Sequence, residues 1–175
     1  ATLSGDLGTS IRQKRPVRQV IAERLPVTVT LGLLALALSI GFAIPLGVAA
    51  ALWPRSWLDR FALGFATVGQ AVPTFWLALL GIVLFSVDLG WLPASGIPSF
   101  AGYVLPAFAL SNYAIPTLLR LTRSGMLEVM KADYIRTARA KGLSPLSIAF
   151  KHAMRNAILP VVSVAAVQFG FMLGG

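Results

Sequence analysis

LPVTVTLGLLALALSIGFAIPLGVAAALWP, residues 25–54, contains no Asp, Glu, Lys or Arg. A helix rising 1.5 Å per residue needs about 20 apolar residues to cross a ~30 Å hydrocarbon core, and this run exceeds that length. Two more charge-free runs follow, Phe61 to Val87 and Leu89 to Leu119, and the tail from Asn156 to Gly175 is also uncharged. The third run is too long for one crossing. It includes WLPASGIPSFAG (91–102), whose Pro and Gly residues mark a loop ahead of the helix. The expectation is an all-α membrane protein, a polytopic helical bundle with spans near 27–52, 61–86, 104–122 and 158–175. Composition agrees: 57% hydrophobic, 12% charged and a mean hydropathy of +0.78 are far too apolar for an ordinary soluble domain.

The charges set the expected topology. Four spans put residues 1–26, 87–103 and the far C-terminus on one side, opposite 53–60 and 123–157. The segment 87–103 has no Lys or Arg, whereas the opposite side has Arg55, Arg60, Arg123, Lys131, Arg136, Arg139, Lys141, Lys151 and Arg155, with Arg120 at a span end. The excess of positive charge makes that side cytoplasmic. Arg12, Lys14, Arg15, Arg18 and Arg24 then fall outside, against the rule. Ile11, Val17, Val20, Ile21 and Leu25 interleave with them, so residues 1–26 are expected to form an external amphipathic segment along the interface.

Several functions are disfavoured. The net charge of +9 would suggest nucleic acid in a soluble domain, but topology accounts for ten of the fifteen Lys and Arg, and no aromatic stacking platform accompanies them. There are no cysteines, hence no disulfide or thiolate metal site. With Arg120 taken as a span end, no span interior has an ionisable residue, against both an embedded enzyme and an ion-coupled carrier. A channel or secondary transporter without ATPase partners stays open on physics alone. ATLSGDLGTSIRQK (1–14) has neither the basic start nor the apolar middle of a secretory signal. The last span is barely long enough to cross by Gly174-Gly175, so a piece of a longer protein is expected.

Between the last two spans lies DYIRTARAKGLSPLSIAFKHAMRNAILP (133–160). Leu127, Met130, Tyr134, Ile135 and Ala138 recur at helical spacing and predict one apolar stripe. Gly142 ends that helix as a residue free to take positive φ, and Ser144-Pro145 starts another as N-cap and first helical residue. Leu146, Ala149, Phe150, Ala153 and Met154 predict the second stripe, leaving Ser147, Lys151 and Arg155 elsewhere on the helix. The result is a helix–Gly–helix elbow on the cytoplasmic side. A surface helix pair whose Lys and Arg snorkel is the plainer alternative.

TARAKGLSPLSIAFKHAMRNAILP (137–160) resembles the cytoplasmic coupling loop of ABC importer permeases of the dipeptide/oligopeptide/nickel class. In the general motif Glu-Ala-Ala, three residues, Gly, nine residues, Ile-x-Leu-Pro, the triplet falls on Arg136, Thr137 and Ala138, the glycine on Gly142, and the last element on His152, Met154 and Arg155. Only Ala138 and Gly142 match that form. The peptide-class variant, with a His-Ala-x-Arg-Asn element, matches through His152, Ala153, Arg155 and Asn156. GDLGTSIRQKRPV (5–17), ERLPVTVTLGL (23–33), IPLGVAAAL (44–52), PTFWLALLGIVLF (73–85) and LGWLPASG (89–96) extend the resemblance over essentially the whole chain.

The resemblance implies a type I permease domain over residues 27–175, holding the second to fifth of about six spans, with residues 1–26 outside. It implies a bacterial or archaeal plasma-membrane protein working with a second permease, identical or paralogous, and an external solute-binding protein. ATP and Mg would be held by two separate ATPase subunits; no G-x-x-x-x-G-K-[ST] loop occurs here, and this chain would carry no cofactor or catalytic residue. Peptides are the expected solute; nickel and glutathione-like solutes remain alternatives. The ATPase-docking loop would comprise Asp133, Tyr134, Arg136, Thr137, Ala138, Arg139, Ala140, Lys141, Gly142, Leu143, Ser144, His152, Arg155 and Asn156, with Gly142 turning Ala138 and Leu143 towards the ATPase. His152, without another ligand nearby, is expected to cap or brace the loop rather than bind metal. Gln70, Thr74, Asn112 and Gln168 are candidates for the translocation path, with interhelical hydrogen bonding the alternative. Pro45, Pro73, Pro106, Pro116 and Pro160 are expected to kink helices.

Overall fold

A computed structural model describes residues 8–11, 14–97 and 99–174. Residues 1–7 and Arg12 of the expected external segment, and Gly175 of the last span, lie outside the described residues. The described chain is helical, with three helices long and apolar enough to cross a membrane and a fourth crossing if one bent pair counts as a span. A single antiparallel bridge, Thr9 to Pro16, precedes them.

Helix α1, Val17–Leu52, has 36 residues. Its length, roughly 54 Å at 1.5 Å per residue, well exceeds the hydrocarbon core. Residues 17–26 are therefore continuous in one helix with the predicted first span, with no break between them. Pro26 lies inside α1 without ending it. An exposed ion pair, Arg15 to Glu23 at 2.6 Å, spans the helix entrance.

The span expected over 61–86, with a kink at Pro73, is built from two helices. Helix α2, Trp57–Ala71, and α3, Thr74–Gly81, the latter continued by a π-helical stretch Ile82–Asp88, meet at 95°. Val72 and Pro73 are extended at the corner, because a residue ahead of proline is pushed out of helical backbone and Pro73 cannot donate to the preceding turn. Pro73 therefore breaks the span instead of kinking it. Pro45, Pro116 and Pro160 sit within continuous helices.

After a loop in which Trp91 packs on Phe85 at 6.2 Å, a 3₁₀ turn Phe100–Tyr103 leads into α4, Val104–Val129. Helix α4 continues beyond the predicted limit of 122, so residues 123–129 belong to it and not to the loop. It stops at Val129, and α5, Asp133–Ala140, is a separate helix. The stripe predicted from Leu127 to Ala138 is thereby divided between two helices. A short turn α6, Pro145–Ser147, passes through a π-helical stretch Ile148–Ala153 into α7, Met154–Gly174. The π stretch shifts the register: Ile148, Ala149 and Ala153 are buried, whereas Leu146 and Phe150 of the predicted stripe are exposed.

Small side chains form the seams of the bundle. Ala35, Ala43 and Ala50 of α1 meet Ala114, Leu118 and Leu119 of α4 in a core joined by Ala62 and Ala66 of α2 and Val161 and Ala165 of α7. Without a water-driven hydrophobic effect between spans, close backbone approach is what packing can gain. At Gly47 an added Cβ would lie 2.8 Å from Thr122 Cβ and 2.9 Å from the Leu119 carbonyl oxygen. Buried Ser39 donates to Ala35 O at 2.7 Å and to Ser111 O at 3.1 Å, tying α1 to α4.

Candidate functional site: a basic elbow and a polar cavity

The elbow is built by local chemistry. Gly142 takes φ +77°, Leu143 N–H donates to Ala138 O at 3.3 Å, and Gly142 N–H donates to Arg139 O at 2.9 Å. These two bonds form a Schellman closure, satisfying carbonyls that the end of α5 would leave open. Ser144 Oγ then accepts from Ser147 N–H at 3.3 Å as N-cap, with Pro145 in the first turn.

One face of α5 is keyed into the bundle. Ile135 and Ala138 are buried with Met126 of α4, Val48 and Ala51 of α1, and Ile148, Ala149, Ala153 and Ala157. Ala138 therefore faces the protein's own core and cannot meet a docking partner, contrary to the sequence expectation; its place on the inward face of α5 fixes that. Asp133, Tyr134, Arg136, Thr137, Arg139, Ala140, Lys141, Gly142, Leu143 and Ser144 form the exposed side and tip. Asp133 pairs weakly with Arg136 at 3.4 Å in full exposure.

Arg155 and Asn156 are exposed at the start of α7, and Asn156 Nδ2 donates to Tyr134 Oη at 2.8 Å. This bond braces the elbow, the task expected of His152. His152 is half-buried and makes no side-chain hydrogen bond among the described residues. No cluster of three or more His, Asp or Glu suited to a metal occurs among them either.

A second brace was not anticipated. Asp59, only 3% exposed, accepts from Arg123 Nε at 2.5 Å and Nη2 at 2.8 Å, and from Arg55 N–H at 2.8 Å. It ties the start of α2 to the last turns of α4. The Ser56-x-x-Asp59 spacing at a helix start was the available signal, and Ser56 does cap Asp59 N–H at 3.3 Å.

Gln70, Thr74, Asn112 and Gln168 converge. With Gly69, Val72, Tyr113 and Thr117 they line one polar cavity of about 220 Å³ beside the α2–α3 corner. Asn112 Nδ2 donates to Gly69 O at 2.8 Å, a carbonyl freed because α2 ends there. Gln70 Oε1 accepts from Arg120 Nη2, while Gln168 Oε1 is buried without a partner. Interhelical bonding thus accounts for Asn112 and Gln70, but not for Thr74 or Gln168. Helix α4 continues for nine residues beyond Arg120, to Val129.

Residues 43–175 match the family described as "Binding-protein-dependent transport system inner membrane component". Over 178 residues the chain is 47% identical to a protein of Brucella abortus (strain 2308) named "Putative peptide transport system permease protein", covering 97% of this chain and 57% of that one. It is 43% identical over 173 residues to a "Glutathione transport system permease protein" of Salmonella typhimurium, covering 99% of this chain and 56% of the relative. The chain thus spans little more than half the length of these curated relatives.

Proposed function

The chain belongs to the binding-protein-dependent transport system inner membrane components, and from that membership we propose that it forms part of the transmembrane subunit of an ATP-driven importer of di- or oligopeptides. The observation that carries the reading is the keyed elbow. Ile135 and Ala138 lock α5 to α1, α4 and the start of α7, while residues 139–146 stand free for a partner. A push on the tip is thus passed to packed side chains instead of being lost in a loose loop.

In this mechanism two ATPase subunits bind ATP and Mg, and their nucleotide-driven closure swings the permeases between inward and outward states. Their groove receives the tip around Arg139, Lys141, Leu143 and Ser144, with the elbow in the cytoplasm of a bacterial or archaeal cell. A second permease, identical or paralogous, completes the pathway, and an external binding protein supplies the solute. The polar cavity at the α2–α3 corner belongs to the path. This chain performs no chemistry of its own; its work is mechanical. The relative named for glutathione supports a second reading, in which the peptide-like solute is glutathione.

The test is to purify the full-length protein with its partner subunits from membranes. A stoichiometric ATPase, released when Leu143→Glu alters the tip, supports the reading. Transport by the isolated subunit without an ATPase overturns it, as does labelling of Lys141 from outside intact cells.

A further inference from the structure

Arg120 closes the charge-free run of α4 and is the charge on that helix nearest the polar cavity. It lies nine residues before the end of α4, roughly 14 Å from the basic end at 1.5 Å per residue. Snorkelling would turn its head towards that end. Instead its guanidinium reaches Gln70, the penultimate residue of α2 and a lining residue of the polar cavity. Side chains on a helix lean towards its N-terminus, which here is the cavity side, where Thr117 sits one turn earlier on the same face.

The bond to the neutral Gln70 amide oxygen leaves several of the five donors of the half-exposed Arg120 guanidinium open to an anion. Among the described residues no carboxylate pairs with it: the ion pairs employ Glu23, Asp59 and Asp133. Glu128 is eight residues away along α4, roughly 12 Å by helical rise. Across the same cavity the Gln168 carbonyl oxygen lacks a donor. A cation at the rim and an unmet acceptor in the wall are complementary to a ligand with a carboxylate and an N–H group.

We propose that Arg120, positioned by Gln70, binds the carboxylate of the transported solute while Gln168 accepts from its N–H group. The assignment rests on the importer reading and deepens it, naming the chemical class that the cavity takes: an amino-acid or peptide carboxylate. Bidentate pairing of guanidinium with carboxylate supplies both energy and orientation.

The experiment uses the complete importer, full-length and with its partner subunits, in proteoliposomes with radiolabelled trialanine and trialanine carboxamide as probes. Arg120→Gln should raise the KM for trialanine about ten-fold or more relative to the carboxamide, as loss of a charged hydrogen bond requires. Arg120→Lys should restore much of the preference, and Ser124→Ala, one turn further along α4, should leave the ratio at its wild-type value. An unchanged ratio in Arg120→Gln, or no carboxylate preference in wild type, overturns the assignment. So does dissociation of the permease pair in Arg120→Gln, which would show that the anion comes from the neighbouring subunit. Failure of the importer reading looks different: no ATPase accompanies the wild-type protein.

Discussion

Asp59→Asn removes the negative charge that holds Arg123 while keeping the side chain's shape and one oxygen for Arg55 N–H. The Asp59 side chain is 5% exposed and that of Arg123 21%, so the change leaves a guanidinium largely shut off from water without its counter-charge. Breaking such a pair from one side costs about 3–5 kcal/mol, and the residual exposure of Arg123 places the expected loss near the lower end, about 3 kcal/mol. Asp59→Ala should lose about 1 kcal/mol more, because the bond to Arg55 N–H goes too. Replacing both partners, as Asp59→Leu with Arg123→Met, should recover most of the loss, since no buried charge is stranded. Denaturant unfolding of the full-length protein in detergent, read as midpoints at constant slope, measures these three variants together with Asp59→Leu and Arg123→Met singly. Single variants within about 0.5 kcal/mol of wild type, or a strictly additive double variant, would refute the reasoning, since residues in direct contact should couple by at least that much.

At Gly142 the backbone is left-handed and a Cβ would meet nothing within 4 Å, so any penalty is conformational. Gly142→Val should cost about 1–2 kcal/mol and depress uptake in the assembled importer, whereas Gly142→Asn should be far milder because Asn visits that region. Gly47→Ala should destabilise by about 1–3 kcal/mol in the same unfolding assay, as its Cβ would overlap Thr122 and the Leu119 carbonyl. Gly41→Ala, with nothing within 4 Å, should instead be neutral or stabilising. Tyr134→Phe should lose about 0.5–1 kcal/mol, and Asn156→Ala added to it should cost little more, because both remove one exposed hydrogen bond.

What the sequence revealed was whatever is decided locally or by the solvent. Residues 27–52 had to be helical because hydrocarbon leaves no other partner for the backbone. Gly142 and Ser144-Pro145 announced the elbow because capping needs only a few neighbouring residues. The hidden features depend on distant partners. Pro73 could break a span completely because Asn112, 43 residues from Gly69, takes the freed carbonyl. Asp59 and Arg123 are 64 residues apart. The π-helical stretch at Ile148–Ala153 follows no 3.6-residue pattern, so the stripe drawn through Leu146 and Phe150 failed there. The four cavity residues were found one by one as polar exceptions in apolar helices; their convergence was not visible before the fold.

The alanine and glycine seams have a further consequence. Long side chains can swivel and absorb a displacement, but a contact such as Gly47 against Thr122, or Gly125 where an added Cβ would lie 3.3 Å from the Ala157 carbonyl oxygen, has little slack to give. In the proposed mechanism, torque entering through Ile135 would turn α1, α4 and α7 together. The extended residues Val72 and Pro73 interrupt the α2–α3 pair, and there the proposed crank would have a knuckle beside its polar chamber.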